Sequence, residues 1–155
     1  MEEYDNELLA ALEMCGNYVY CIGDSKACVY RVTGEKNTEI PYMGKTMITY
    51  KTDKTNIAMA FSESSLSGKR YDIETYNVSG KQIGAYELDY KINYIDYEED
   101  TIAFSRGRLI NIVDTSGREK KLVDPGVDLL TMDFIKDGAK AVGFTAEGAY
   151  IFKIS

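Results

Sequence analysis

Three short frames constrain this chain more than any other feature. Tyr30-Arg31-Val32-Thr33-Gly34, Tyr76-Asn77-Val78-Ser79-Gly80 and Val113-Asp114-Thr115-Ser116-Gly117 obey one rule: an apolar residue, a polar one, Val or Thr, Ser or Thr, then Gly. The rule describes a strand that runs into a tight turn, with glycine where a positive φ costs least. Phe152-Lys153-Ile154-Ser155 begins the same frame, and its glycine would fall just past Ser155. The glycines recur about every 40 residues, a period that marks a chain built by stacking similar supersecondary units.

The repeat Tyr90–Gly126 shows what one unit contains. Ile92–Tyr97 is apolar and aromatic, Glu98-Glu99-Asp100 is a charged turn, and Thr101–Ser105 is a second apolar run. Arg106-Gly107-Arg108 turns the chain into Leu109–Thr115, a run rich in β-branched residues that suit a pleated surface. Ser116-Gly117-Arg118 turns it again, Lys120–Val123 forms a fourth strand, and Asp124-Pro125-Gly126 ends the ladder. Second strands recur as Tyr18-Val19-Tyr20, Ile57-Ala58-Met59, Ile102-Ala103-Phe104 and Ala141-Val142-Gly143-Phe144. First strands precede them at Leu8–Leu12, Met47–Tyr50, Ile92–Tyr97 and Leu129–Ile135.

Four strands per repeat at this period predict an all-β chain of about four antiparallel four-stranded blades of the β-propeller type. An ordinary β-sandwich or barrel is the competing architecture, and the shared turn frame favours the propeller. The repeats run roughly 1–43, 44–89, 90–126 and 127–155 within a single domain, 1–155. The last blade lacks its outer strand. Either Met1–Glu7 closes a small ring, or the chain is half of a larger propeller, or two copies pair blade to blade. Met1–Met14 has a helical composition but the place of a first strand, and register predicts strand over Leu8–Met14.

Composition removes whole classes of chemistry. There is no histidine, so neither His-based acid–base catalysis nor His metal ligation is available. The net charge of −7 disfavours nucleic acid, whose phosphates an acidic surface repels. The apolar runs are too short to span a bilayer as helices, and the acidic start Met1-Glu2-Glu3 is unlike a signal peptide. There is no tryptophan but there are 13 tyrosines, expected to fill the layers between blades. Cys21 and Cys28 face each other across the turn Gly23-Asp24-Ser25-Lys26, and Cys15 is left over. A cross-strand disulfide is demanding, so free buried thiols are expected.

Repeat two carries about eight residues more than the others between its second and third strands, and long loops on rigid scaffolds often carry binding. The extra segment, Ser62–Arg70 (SESSLSGKR), reads as a loop, and Glu63, Ser64, Ser65, Lys69 and Arg70 are the candidate binding residues. Other motifs fail. Met43-Gly44-Lys45-Thr46 ends like a phosphate-binding loop, but Glu39 stands where the earlier glycine belongs. Asp96, Glu98, Glu99 and Asp100 lack the calcium-loop spacing. Asn77-Val78-Ser79 matches a glycosylation pattern but sits on the turn frame. No catalytic, metal-binding or cofactor-binding residue is assigned.

The blade frame, with the ending Asp137-Gly138-Ala139-Lys140-Ala141-Val142-Gly143-Phe144 and then Ala149-Tyr150-Ile151-Phe152, resembles the propeller part of a Firmicutes family of unknown function. Its members look like a membrane anchor followed by a PQQ-like or WD40-like propeller outside the membrane. The resemblance implies a longer, anchored, extracytoplasmic parent. It supplies no functional residue, and no Trp is present to stack on a quinone cofactor. The leading expectation is a non-catalytic module that binds a protein, peptide or glycan. One alternative is a sialidase- or lyase-type enzyme using Tyr97, Glu99 and Asp100. Another is a structural segment that self-associates through unpaired blade edges.

Overall fold

The computed structural model describes residues 8–135 and 140–154, and all its regular structure is strand. Four antiparallel sheets follow one another along the chain, each in simple up-and-down order. Blade 1 holds β1 (Leu9–Cys15), β2 (Tyr18–Gly23), β3 (Lys26–Arg31) and β4 (Lys36–Pro41). Blade 2 holds β5 (Thr46–Asp53), β6 (Asn56–Ser65), β7 (Gly68–Asn77) and β8 (Gln82–Leu88). Blade 3 holds β9 (Ile95–Glu98), β10 (Thr101–Arg106), β11 (Leu109–Asp114) and β12 (Glu119–Val123). Blade 4 holds β13 (Thr131–Ile135), β14 (Lys140–Phe144) and β15 (Ala149–Lys153), and among the described residues no further strand pairs with β15. The first strands β1, β5, β9 and β13 adjoin in series. Lys51 on β5 bridges to Asp96 on β9 at 3.2 Å and to Asp133 on β13 at 2.6 Å.

The turn frame recurs because it carries a recurring set of hydrogen bonds. In each copy the glycine N–H donates to the carbonyl of the frame's second residue: Gly34 to Arg31, Gly80 to Asn77, Gly117 to Asp114. The third residue donates across to the first hairpin's turn: Val32 to Asn17, Val78 to Thr55, Thr115 to Asp100. In blades 2 and 3 the polar second residue also caps the turn. Asp114 Oδ1 accepts from the Ser116 and Arg118 amides at 3.0 and 2.9 Å. Asn77 Oδ1 does the same for Ser79 and Lys81 at 3.0 and 3.1 Å, as short polar side chains do in turns. The three glycines have φ of 90°, 76° and 85°, a region costly for any residue with a Cβ.

The frame's first residue faces the preceding blade. Tyr76 packs into the layer between blades 1 and 2, with Tyr20, Ile22, Ile57, Met59 and Phe61. Val113 packs into the layer between blades 2 and 3, with Ala58, Ala60, Ile73 and Phe104. Blades 3 and 4 share Ala103, Ile110, Ile112, Met132 and Ala141. Alternation does the sorting: Ile57, Met59 and Phe61 point one way from β6, Ala58 and Ala60 the other. Tyrosines stand in these layers as expected, with Tyr42 against Phe61 at 5.2 Å and Tyr86 against Phe104 at 5.7 Å. Tyr150 is an exception and is exposed.

Several expectations need correction. The segment Ser62–Arg70 is not a loop. β6 and β7 run on through it, pairing Glu63 with Arg70, Ser64 with Lys69 and Ser65 with Gly68, and only Leu66-Ser67 turns. Added residues shared between two paired strands keep their backbone groups hydrogen-bonded, which a loop of the same length does not. The second strand of blade 1 is shifted by one from its expected alignment. Val19 pairs with the frame residue Tyr30, as Ile57 pairs with Tyr76 and Ile102 with Val113. Val19, not Tyr18, is therefore the equivalent of Ile57. The first strand of blade 3 starts at Ile95 rather than Ile92, because Ile92 and Tyr94 are apolar to fill the core and pair with no strand. The first strand of blade 4 starts at Thr131 rather than Leu129.

Strand over Leu8–Met14 is confirmed by β1, where pairing with β2 overrides helical propensity. The expectation that Met1–Glu7 closes blade 4 lies outside the described residues. Cys15, Cys21 and Cys28 form no disulfide, although Cys21 stands opposite Cys28. Burial pushes the Cys15 and Cys21 thiols above their ordinary pKa.

Candidate functional site

The elongated hairpin of blade 2 forms one side of a groove of about 790 Å³. From the hairpin come Glu63, Ser67, Lys69 and Arg70. The base holds Lys45, Tyr71 and Asp72, and Tyr86, Tyr90, Asn111 and Glu119 come from blade 2's outer strand and blade 3. Three of the five sequence-predicted binding residues, Glu63, Lys69 and Arg70, therefore line one concave surface. Ser64 and Ser65 do not line it. The Ser65 hydroxyl instead donates to the Gly68 carbonyl at 2.8 Å and braces the hairpin tip.

Lys45 is the anchor of the groove's base. Its ammonium donates to Asp72 and, at 2.7 Å, to Glu74 Oε1, and lies 5.7 Å from the centre of the Phe61 ring. Burial works against this charge, but the hydrogen bonds it donates to Asp72 and Glu74 outweigh that and hold its pKa above that of an ordinary lysine. Burial raises the Asp72 carboxyl, and Lys45 offsets only part of that rise. Tyr76 donates to the other oxygen of Glu74 at 2.6 Å, and its phenol is pushed up by burial and then by that carboxylate. Across the groove the Asn111 amide donates to the Tyr90 hydroxyl at 3.2 Å. The surface combines a fixed internal ion cluster with charged side chains of both signs and three tyrosines. Such a surface can recognise a partner through hydrogen bonds and ring contacts.

Sequence reading missed Lys45, Tyr86, Tyr90 and Asn111, which lie far apart in the chain: Lys45 just before β5, Tyr86 on β8, Tyr90 just after β8 and Asn111 on β11. Asn111 alone carried a signal, as the one polar residue inside the apolar run Leu109–Val113. The enzyme alternative fares differently. Tyr97 is buried, and burial pushes its phenol above the ordinary value. Glu99 pairs with Lys54 at 3.4 Å and Asp100 with Lys120 at 3.0 Å, both exposed pairs. None of the three lines the groove. Among the described residues no group of three Asp, Glu or Cys side chains is placed to hold a metal ion, and no helix is long and apolar enough to cross a membrane.

Comparison with solved structures identifies the architecture as a β-propeller. The crystal structure of BBS1N in complex with ARL6DN matches with a TM-score of 0.71 at 8% identity, over 100% of this chain and 54% of that one. The Neurospora crassa Pan2 WD40 domain matches with a TM-score of 0.63 at 12% identity, over 94% of this chain and 48% of that one. BamB from Moraxella catarrhalis matches with a TM-score of 0.62 at 13% identity, over 93% of this chain and 42% of that one. At these identities the likeness shows the fold alone. The chain spans about half the length of the structures it resembles. No curated protein matches it. A family model matches residues 1–150, nearly the whole chain, and the protein belongs to the family of unknown function DUF5711.

Proposed function

We propose that this chain is a non-catalytic propeller module that binds a protein segment through the groove beside the β6–β7 hairpin. The observation that carries the reading is the hairpin's extension into Glu63, Lys69 and Arg70, which line the groove of about 790 Å³. A rigid paired ribbon holds these side chains in place at little entropic cost, as a flexible loop would not. A similar structure, BBS1N, was solved in complex with ARL6DN, which supports a polypeptide as partner. The tyrosines Tyr86 and Tyr90 beside Asn111 favour a glycan as the second reading, because rings and amides together suit sugar faces and hydroxyls.

The test is selection of a random peptide library on the immobilised chain, repeated with the double variant Lys69→Glu, Arg70→Glu. The expected result is a consensus peptide whose binding the double variant loses. No consensus, or equal binding to both proteins, overturns the peptide reading. A glycan array probed with the same pair of proteins decides the second.

A further inference from the structure

The β6–β7 hairpin outruns the strands on both sides of it. β5 begins at Thr46, opposite Ser62, and β8 ends at Leu88, opposite Tyr71. β6 and β7 go on pairing with each other as far as Ser65 and Gly68. Among the described residues no strand pairs with 63–65 on one edge of this ribbon or with 68–70 on the other, apart from the two strands of the hairpin themselves.

Register decides which backbone groups this leaves without a partner strand. Directly opposed residues in an antiparallel pair alternate between hydrogen-bonded and non-hydrogen-bonded. At the foot of the hairpin the Val78 amide donates to the Thr55 carbonyl, and no bulge interrupts the pairing from Asn56 to the tip. Counted from there, Glu63 with Arg70 and Ser65 with Gly68 are hydrogen-bonded pairs, and Ser64 with Lys69 is not. The N–H and carbonyl of Lys69 therefore point away from β6, to the side where β8 has stopped. Those of Ser64 point to the other side. Continued in its own register, β8 would bring Tyr90 opposite Lys69. Among the described residues no backbone hydrogen bond joins the two. The Tyr90 ring instead packs on the core between blades 2 and 3, and its hydroxyl accepts from Asn111 of blade 3 at 3.2 Å. Lys69 and Tyr90 thus come to line the same groove without closing it.

We infer that a polypeptide partner enters this groove as an extended strand and pairs with the Lys69 N–H and carbonyl, in the place that β8 vacates. The inference rests on the proposed binding of a protein segment and states how that segment is held. A donor and an acceptor presented side by side on a strand edge are matched by the backbone of another strand, the mode of β-strand addition. A glycan has no such ladder. The groove, about 790 Å³, has the size of an ordinary ligand site. Lys69 and Arg70 both line it and alternate across the ribbon, so they flank the added strand on its two faces. Pairing with β6 fixes the edge before the partner arrives, which keeps the ordering cost of binding low. Ser64, on the opposite edge, does not line the groove.

Peptides selected from a random library on the immobilised natural chain are the probe. Lys69→Pro deletes the outward N–H and spares the bonds to β6, and Ser64→Pro does the same on the opposite edge. Lys69→Met removes the charge and keeps the N–H. The consensus peptide should bind Lys69→Pro about tenfold more weakly than Lys69→Met, the cost of one backbone hydrogen bond. Ser64→Pro should bind it like the natural chain. On the natural chain the peptide should slow hydrogen exchange at the Lys69 amide more than at the Arg70 amide, which β6 already holds. That exchange decides the matter if Lys69→Pro fails to fold. Equal binding by Lys69→Pro and Lys69→Met, or a Lys69 amide that exchanges as before, overturns strand addition and leaves the groove reading standing. Binding lost in Ser64→Pro alone does the same. A selection that yields no consensus peptide overturns both.

Discussion

Strand β6 of blade 2 and strand β14 of blade 4 hold the same place in their blades and meet different surroundings. From Ile57 to Phe61 every residue of β6 is buried, so neither face is free. Along β14 burial alternates, with Ala141 and Gly143 covered and Lys140 and Phe144 exposed. Both strands are mostly apolar at these positions. The difference lies in their neighbours, since β6 has a blade on either side and β14 has one. Burial here is a property of the stack, not of the strand, as it is in other repeat proteins whose units bury their faces only against each other.

The sharpest way to break this comparison is to truncate one aromatic side chain in each environment. Phe61→Ala removes a fully covered ring that packs on Tyr42, and should cost about 3–5 kcal/mol in urea unfolding. Phe144→Ala truncates a ring that is already exposed and should cost only about 0.5 kcal/mol. Equal costs would mean that the face of blade 4 is already covered.

Glycines extend the contrast to backbone packing. A Cβ on Gly84 would lie 1.5 Å from the Thr115 carbonyl oxygen, where blade 2's outer strand meets the turn frame of blade 3. Gly84→Ala therefore has to push two blades apart and should cost about 3 kcal/mol. On Gly143 a Cβ would meet side-chain atoms of Leu129 and Phe152 at 2.6 and 2.9 Å, which can turn away. Gly143→Ala should cost about 1 kcal/mol, and thermal unfolding of the two variants side by side decides whether the blade 2–3 contact is the tighter.

Ion pairs give the third comparison. Lys51→Met leaves the buried Asp96 carboxylate with the Tyr97 and Phe134 amides but without Lys51, and should cost about 2 kcal/mol. Lys36→Met removes an exposed partner of Glu39 on blade 1, a pair worth less than about 1 kcal/mol and weakened further by salt. Chemical unfolding at low and high salt separates them; a Lys51 cost that vanishes in salt would show that Asp96 is not shielded.

The smallest effect concerns acid. The Ser116 hydroxyl and the Arg118 amide, helped by the Arg118 guanidinium, hold the Asp114 carboxyl below its ordinary pKa. A carboxyl lowered by folding contributes stability that is complete above the ordinary carboxylate pKa and is lost as pH falls through its folded value. Asn77 occupies the same frame position in blade 2 with the same turn bonds and cannot titrate there. Asp114→Asn should therefore melt like the natural chain at neutral pH and lose less stability below about pH 4. Identical acid limbs for the two proteins would remove Asp114 from the account.

What could be read in the chain was whatever local rules write down. The turn frame is a local hydrogen-bonding device, so its three copies exposed the repeat, the strands and the all-β class. Even the ambiguous Leu8–Met14 segment followed register over propensity. Where local rules were silent, the reading slipped. Nothing near Tyr18 distinguishes it from Val19 as the partner of Tyr30, because both are strand formers. The serine-rich hairpin looked like a loop because pairing between Glu63 and Arg70 is invisible until two strands meet. Of the groove, the hairpin side was legible as an insertion, and its Tyr90 and Asn111 side was not, since it comes from another blade.

The sequence by itself determined that this protein is a series of four-stranded sheets, because a period of about 40 residues with a glycine turn has few other solutions. It also determined which side chains alternate across each sheet, because strand geometry leaves no choice. Only the tertiary structure decided which of those faces are covered and which stay open. It alone brought Lys45 to Asp72, Lys51 to Asp133, and the hairpin to its groove. The physical reason is the same in each case: alternation is set within a strand, but burial and charge pairing depend on what the neighbouring blade presents.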